Sequence, residues 1–257
     1  MTKNFALLHC HSSESMPEVA PETVQLVITS PLYFPPDTEP FLYGEKDCGM
    51  SPGVAFDRVQ AFASETLRSV MDECVRVLAP GGHLVLETRD VRIGHCLVPV
   101  EAIHRSVAET WGLELLSRHF WRAKAEKPVR LGNQISITRR FGPVPVNPEV
   151  FLVFTKPGAD PRRGDPEPED TALLTSDFMR TPAGMMPSRH RFQAPLRVLA
   201  AFIRTYTSPG DTVLDPFAGG GSAAYVANHL GRNAILYEID PGSAAMIRKN
   251  VPSLEES

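Results

Sequence analysis

Thr212-Val213-Leu214-Asp215-Pro216-Phe217-Ala218-Gly219-Gly220-Gly221-Ser222 reads as an apolar strand with an acid at its tip, a glycine loop, and the opening of a helix. A strand–loop–helix of this kind holds a nucleotide-like cofactor. Asp215 selects among such cofactors. A dinucleotide places a pyrophosphate at that turn, and a carboxylate about 4 Å away repels it by about 4 kcal/mol at an effective dielectric near 20. S-adenosylmethionine instead brings a sulfonium and an ammonium group, and Asp215 attracts both. Glu238, at the tip of the next apolar run (Ala234 to Ile239), adds a carboxylate that can accept both ribose hydroxyls. Gly219, Gly220 and Gly221 by themselves also fit a loose dinucleotide pattern and leave an oxidoreductase open. The two acids favour the sulfonium cofactor, and with it methyl transfer.

Outward from this stretch, strands alternate with helices. Leu196 to Tyr206 is an amphipathic helix with Leu196, Leu199, Ala200 and Ile203 facing inward. After the glycine loop come a helix from Ser222 to Leu230, the Ala234 strand, and a last helix to about Asn250. Toward the N-terminus, Phe5 to Cys10 and Val24 to Thr29 suit buried strands, the second stopped by Ser30-Pro31. Leu32 to Pro52 has no period and reads as a long functional loop. Phe56 to Leu78 is helical, with Leu67, Val70, Met71, Cys74 and Leu78 on one face, and Pro80-Gly81-Gly82 ends it. His83 to Thr88, Leu113 to Trp121 and Val150 to Thr155 are further strands, and Leu97 to Trp111 is a helix. This alternation predicts an α/β fold with a mostly parallel sheet covered on both faces.

The 257 residues, 42% hydrophobic, suffice for one sizeable core, so residues 1–257 are read as a single domain. Residues 157–189, rich in proline, glycine and acids, read as an irregular insertion or a small target-recognition segment. No apolar run has the roughly 18 residues of a membrane span, and no signal-peptide pattern opens the chain. Cys10, Cys48, Cys74 and Cys96 form no Cys-x-x-Cys pair, which fits reduced thiols in a cytoplasmic protein. His9 and His11 share one side of a strand, but no acid or cysteine cluster has complementary spacing, so no metal site is expected.

The net charge of −4 argues against a generally basic coat for nucleic acid. Locally the balance reverses. From Arg118 to Arg140 seven basic residues face one acid, Glu126, for a local charge of +6, with Phe120 and Trp121 among them. Arg122, Lys124, Lys127 and Arg130 are candidate phosphate contacts.

Thr29-Ser30-Pro31-Leu32-Tyr33 ends a strand and so meets the same carboxyl edge as Asp215. Its hydroxyl and carbonyls can accept the hydrogens of an aromatic amine while Tyr33 stacks on the ring.

Taken together, these stretches resemble the amino-methyltransferases of DNA, in the class whose catalytic motif precedes its cofactor motif. Ser30-Pro31-Leu32-Tyr33 is similar to the family's Ser-Pro-Pro-Tyr of enzymes acting on cytosine N4, adenine N6 enzymes usually having Asp-Pro-Pro-Tyr. Asp215 to Ser222 is similar to Asp-Pro-Phe-x-Gly-Ser-Gly-Thr, Arg76 to Gly82 to Arg-Val-Leu-Lys-Pro-Gly-Gly, and Trp121-Arg122-Ala123-Lys124 to Trp-x-x-Lys. His190-Arg191-Phe192 resembles the His-Pro-x-x-Phe that closes over the cofactor, and Tyr237-Glu238-Ile239-Asp240 matches in order and spacing.

The resemblance implies a Rossmann-like methyltransferase fold with a seven-stranded, mostly parallel, circularly permuted sheet. It implies S-adenosylmethionine bound by Asp215, Phe217, Gly219, Gly221, Ser222, Glu238, His190 and Phe192. It further implies catalysis by Ser30, Pro31 and Tyr33, and site-specific methylation of cytosine N4 in DNA. DNA is the expected partner, a membrane is not, and a homodimer is compatible with these features. Leu32 in place of proline and Cys10-His11-Ser12 in place of Gly-Asp-Ser are departures, the second removing an acid that contacts the cofactor's adenine. Two other readings stay open: amine methylation in RNA, a nucleoside or a small aromatic substrate, and a cofactor-binding relative without catalysis.

Overall fold

The computed structural model describes residues 4–31, 52–93, 96–123, 148–161, 163–181, 186, 194–251 and 253–256. Apolar runs closed by turn residues become strands: β1 (Ala6–His9), β2 (Val24–Thr29), β3 (Leu78–Thr88), β6 (Glu114–Ala123), β7 (Glu149–Thr155), β9 (Thr212–Asp215) and β10 (Asn233–Tyr237). Short pieces join them: β4 (Val91–Ile93), β5 (Cys96–Val98), β8 (Met179–Thr181) and β11 (Leu254–Glu256). The helices are α1 (Pro52–Phe62), α2 (Arg68–Val77), α3 (Val100–Glu109), α4 (Pro168–Leu174), α5 (Leu196–Tyr206), α6 (Ser222–His229) and α7 (Pro241–Asn250).

One sheet organises the protein, in the order β11-β1-β10-β9-β2-β3-β7-β6-β8. Only β7 runs antiparallel to its neighbours in it. The seven expected strands occupy its middle, and three-residue strands extend both edges, making nine rather than seven. From the central pair β9 and β2 the chain winds outward in opposite directions, through α6 to β10 and through α1 and α2 to β3. The gap between β9 and β2 is therefore a topological switch point, where open α/β sheets bind ligands at the carboxyl ends of their strands.

Side-chain alternation along each strand divides the core between two faces. Val27, Leu84, Leu86 and Leu152 pack with Val59, Met71, Cys74 and Ile103 beneath α1, α2 and α3. Ile28, Val85, Phe151 and Val213 pack with Phe202, Ala224 and Ile247 beneath α5, α6 and α7. Leu67, Val70, Met71, Cys74 and Leu78 are all buried, as their spacing requires. The helix that carries them is interrupted by a π turn at Ala63–Leu67. On α5 the inward face is Val198, Leu199, Ala201, Phe202 and Ile203, whereas Leu196 and Ala200 are only half-buried. The helix touches both the sheet and α6, so its buried stripe is wider and rotated from the one expected.

Strand β3 begins at Leu78, before Pro80-Gly81-Gly82, and the register of its pairing with β2 shifts between Val24 and Leu26. Gly81, at φ +72°, lets that irregularity form, since a Cβ there would lie 2.4 Å from the Asp160 carbonyl oxygen.

Residues 157–189 are not irregular throughout. They contribute α4 and β8, and β8 pairs parallel to β6. Asp170 of α4 is fully buried and accepts from Arg197 and Arg204 of α5. Burial opposes its ionisation, but those two guanidinium groups hold its pKa down to about 2. The ion-paired acid fastens the segment to the domain.

Among the described residues, Cys10 and Cys74 are free thiols, and no helix is long and apolar enough to cross a membrane.

Candidate active site

Both motifs end at the switch point, and one hydrogen bond joins them. Thr29, the last residue of β2, donates through Oγ1 to Asp215 Oδ1, at the end of β9, at 2.7 Å. The Phe217 N–H donates to the same oxygen at 3.2 Å. Asp215 is buried at 7% exposure. That burial pushes its pKa up to about 7, against the Thr29 and Phe217 donors, and the nearby Glu238 charge adds a smaller push. A buried carboxyl poised near neutrality gains most from a cationic partner.

The glycine loop packs closely against α7. Gly221 caps α6 at φ +81°, a conformation that favours glycine, and a Cβ there would press on Ile247 at 3.2 Å. Ser222 opens α6 and is nearly buried, while Phe217 is half-buried against the core under α2. Glu238 follows β10. Its carboxylate accepts from the Gly219 N–H at 2.7 Å and from the Asp240 N–H at 2.8 Å. Ile239 beside it is 65% exposed, an apolar face at the same edge. Glu238→Gln, which keeps one acceptor and removes the charge, should weaken cofactor binding by about 1.5–3 kcal/mol, checked by calorimetry.

Ser30 is half-buried and Pro31 buried at the edge beside Asp215. Tyr33, His190, Phe192, Lys124, Lys127 and Arg130 lie outside the described residues. Arg122 is exposed at the end of β6.

Three contributors escaped the sequence reading. Thr29 is the first, since its link to Asp215 needs the strand pairing. Glu87 is the second. Thr29 is in register with Leu86, so Ser30 and Glu87 each follow a paired position on adjacent strands. Glu87 is 6% exposed and hydrogen-bonded to Glu149. Burial, and then the Glu149 charge, hold its pKa well above the usual carboxylate range, with Arg89 acting in the opposite sense. A buried, hydrogen-bonded pair of carboxyl groups thus adjoins the Ser30 turn.

Glu18 is the third. It brings an acid to His9 and His11, correcting the expectation that none was suitably placed. The three offer ligand atoms within 4.8 Å of one another. Glu18 pairs with His11 Nε2 at 3.0 Å and accepts from the Tyr237 hydroxyl at 3.1 Å. His9 stacks on Tyr237 at 4.7 Å. These contacts fasten the loop after β1 to β10. Ser13 does the same for the cofactor turn, donating to the Pro216 carbonyl at 2.9 Å.

Known proteins are similar to this chain in sequence and in fold. Residues 24–249 match the N6_N4_Mtase family, described as DNA methylase. The type II methyltransferase M.MthZI of Methanothermobacter thermautotrophicus is 27% identical over 95% of this chain and 76% of its own length. M.MjaI of Methanocaldococcus jannaschii is 26% identical over 93% and 88%. The Thermus thermophilus protein TTHA0409, solved with S-adenosyl-L-methionine, superposes with a TM-score of 0.73 at 25% identity, covering 98% of this chain and 99% of its own. The cytosine-N4-specific PvuII DNA methyltransferase shares the fold with a TM-score of 0.71 at 17% identity, over 95% of this chain and 86% of its own. The match to the family spans most of the chain, from β2 to the end of α7, and takes in both motifs: the chain belongs to the N6/N4 family of DNA methylases.

Proposed function

We propose that this chain transfers the methyl group of S-adenosylmethionine to the N4 amine of cytosine in DNA. The methyl donor sits over the glycine loop, its cationic methionine end toward Asp215 and its ribose toward Glu238. The observation that carries the reading is the Thr29–Asp215 hydrogen bond, which holds the Ser30-Pro31 turn against the cofactor carboxylate.

The exocyclic amine is a poor nucleophile because its lone pair is delocalised into the ring. The Ser30 hydroxyl oxygen and the Pro31 carbonyl accept its two hydrogens, favour a pyramidal nitrogen and stabilise positive charge as the bond to the methyl carbon forms. Positioning and electrostatics of this kind supply most of the acceleration. As the nitrogen–carbon bond forms, the carbon–sulfur bond breaks and its electron pair stays on sulfur. The cationic amine then sheds a proton, and the Glu87–Glu149 pair offers an acceptor at the same edge. A base stacked in a duplex cannot reach the methyl group, so the target is flipped out or single-stranded, with Tyr33 as its stacking face.

Ser30 in place of an aspartate favours cytosine over adenine. Incubation with labelled S-adenosylmethionine and DNA, RNA or free nucleosides, followed by mass spectrometry of the digested bases, should give N4-methylcytosine from DNA. N6-methyladenine as the main product would overturn the base assignment and keep the amine chemistry. Label appearing only in RNA or nucleosides would overturn the DNA assignment.

A further inference from the structure

The edge strand β8 and its neighbour β6 place like charges side by side. Their register pairs Trp121 with Met179 and Arg122 with Arg180, which puts Phe120 beside Phe178. Residues 118, 120 and 122 alternate onto one face of β6, and 178 and 180 onto the same face of the β8 segment. That face carries three exposed arginines interleaved with two phenylalanines. Phe120 and Phe178 stack at 6.3 Å, the Arg118 guanidinium lies 5.1 Å over Phe120, and that of Arg180 lies 5.9 Å over Phe178. Arg118 also reaches Glu101 at 3.8 Å. Among the described residues, neither Arg122 nor Arg180 has a carboxylate partner within ion-pair distance. Like charges directly opposite one another in a sheet are destabilising, so this pair weakens the edge unless an anion lies between them.

We propose that Arg122 and Arg180 form a phosphate clamp for the DNA backbone beside the target base, on an aromatic base made by Phe120 and Phe178. This rests on the reading of the chain as acting on DNA. Phe120 is level with Thr88 across β7, so the clamp stands at the carboxyl edge that carries Ser30 and Glu87. Three inter-strand spacings separate β6 from β2, or about 14 Å. A duplex carries one phosphate charge per about 1.7 Å of its axis, so several phosphates fall within that span of a base at the Ser30 turn. The guanidinium planes suit a phosphate because they bind it with two parallel N–H donors. Arg180 comes from the 157–189 segment, so β8 brings that segment into the interface.

The test is fluorescence anisotropy of a labelled mixed-sequence DNA duplex, titrated with full-length protein at several potassium chloride concentrations. Arg180→Gln should weaken binding about 10-fold at low salt and lower the logarithmic salt slope by about 0.9. Its melting temperature should stay unchanged or rise, because a repulsion is removed, and its cofactor affinity should be that of the parent. Arg180→Lys, which keeps the charge, should restore most of the slope. An unchanged slope in folded Arg180→Gln overturns the clamp. So does a slope that Lys fails to restore in variants with lowered melting temperatures, the mark of a structural arginine. Parent protein without any salt-dependent DNA binding would overturn the DNA reading itself, a result distinct from either.

Discussion

A Ser30→Ala, Tyr33→Ala double variant should lose methyl transfer by about 1000-fold or more while binding S-adenosylmethionine as the parent does. Removing one acceptor aimed at charge that develops in the transition state costs on the order of 100- to 1000-fold. Removing the stacking face costs a further 1–3 kcal/mol or so per base. The proposed role of both groups is toward the base and not the cofactor, so calorimetry with the cofactor alone should not separate the variant from the parent. Single-turnover transfer from labelled cofactor reads the chemical step directly. Full turnover in this variant would remove the catalytic assignment altogether. Partial activity in Ser30→Ala alone would show that the Pro31 carbonyl, which no side-chain substitution deletes, carries part of the burden. Ring position five of cytosine should stay unmodified, because the chain has no Pro-Cys pair to supply a nucleophile to it.

The Glu87–Glu149 pair bears on the same step. In the proposed mechanism Ser30 and Tyr33 act as the amine attacks and the carboxyl pair acts after the bond has formed, so loss of the pair should fall on a later barrier. A buried acid next to the Ser30 turn was hidden in the sequence for a clear reason. Leu84-Val85-Leu86-Glu87-Thr88 reads as an apolar strand with a polar end, and a glutamate there needs no function. Only the register with β2 makes it a neighbour of Ser30, and only the antiparallel return of β7 brings Glu149 to it. Glu18 was hidden likewise, seven residues beyond His11 across a loop with no period.

What was legible followed from signals local to the chain. Val24–Thr29 and Leu196–Tyr206 appear within the bounds their apolar patterns and proline stops indicate. The adjacency of Asp215 and Ser30 followed from one step of topology, since both end strands at the carboxyl edge of a parallel sheet. The strands β8 and β11 were not legible, because three residues carry too little pattern and their pairing is set by distant partners. The inward face of α5 was partly misjudged for a related reason. Helical spacing names a stripe, but the neighbours that contact it decide how wide the stripe is.

Cofactor affinity should depend on pH through Asp215, and Asp215→Asn should abolish that dependence along with most of the affinity. The titratable groups that bear on Asp215 are Cys74 on α2, Glu87 on β3 and Glu238 after β10, none of them a cation. With its pKa raised to about 7, Asp215 is protonated below that pH and then cannot attract the sulfonium and ammonium groups. Calorimetric affinity should fall about tenfold per unit of pH below 7 and level off above it. Asparagine loses the charge at every pH, and an attraction of about 4 kcal/mol for one cation near 4 Å corresponds to roughly a 1000-fold loss. Thr29→Val removes a donor that favours the ionised form, so the inflection should move to higher pH, and Thr29→Ser should return it. The apo protein should show the opposite trend. An acid whose pKa is raised on folding binds more protons in the native state than in the unfolded chain. Its contribution is therefore most favourable below the unfolded value near 4 and is lost as pH rises through 7. At pH 8, Asp215→Asn should melt higher than the parent, by up to about 4 kcal/mol in stability, even as it loses its cofactor. Equal affinity in parent and Asp215→Asn at every pH would show that the carboxylate does not face the cationic end of the cofactor. Lower stability in the variant would show that the acid holds the fold and not the ligand.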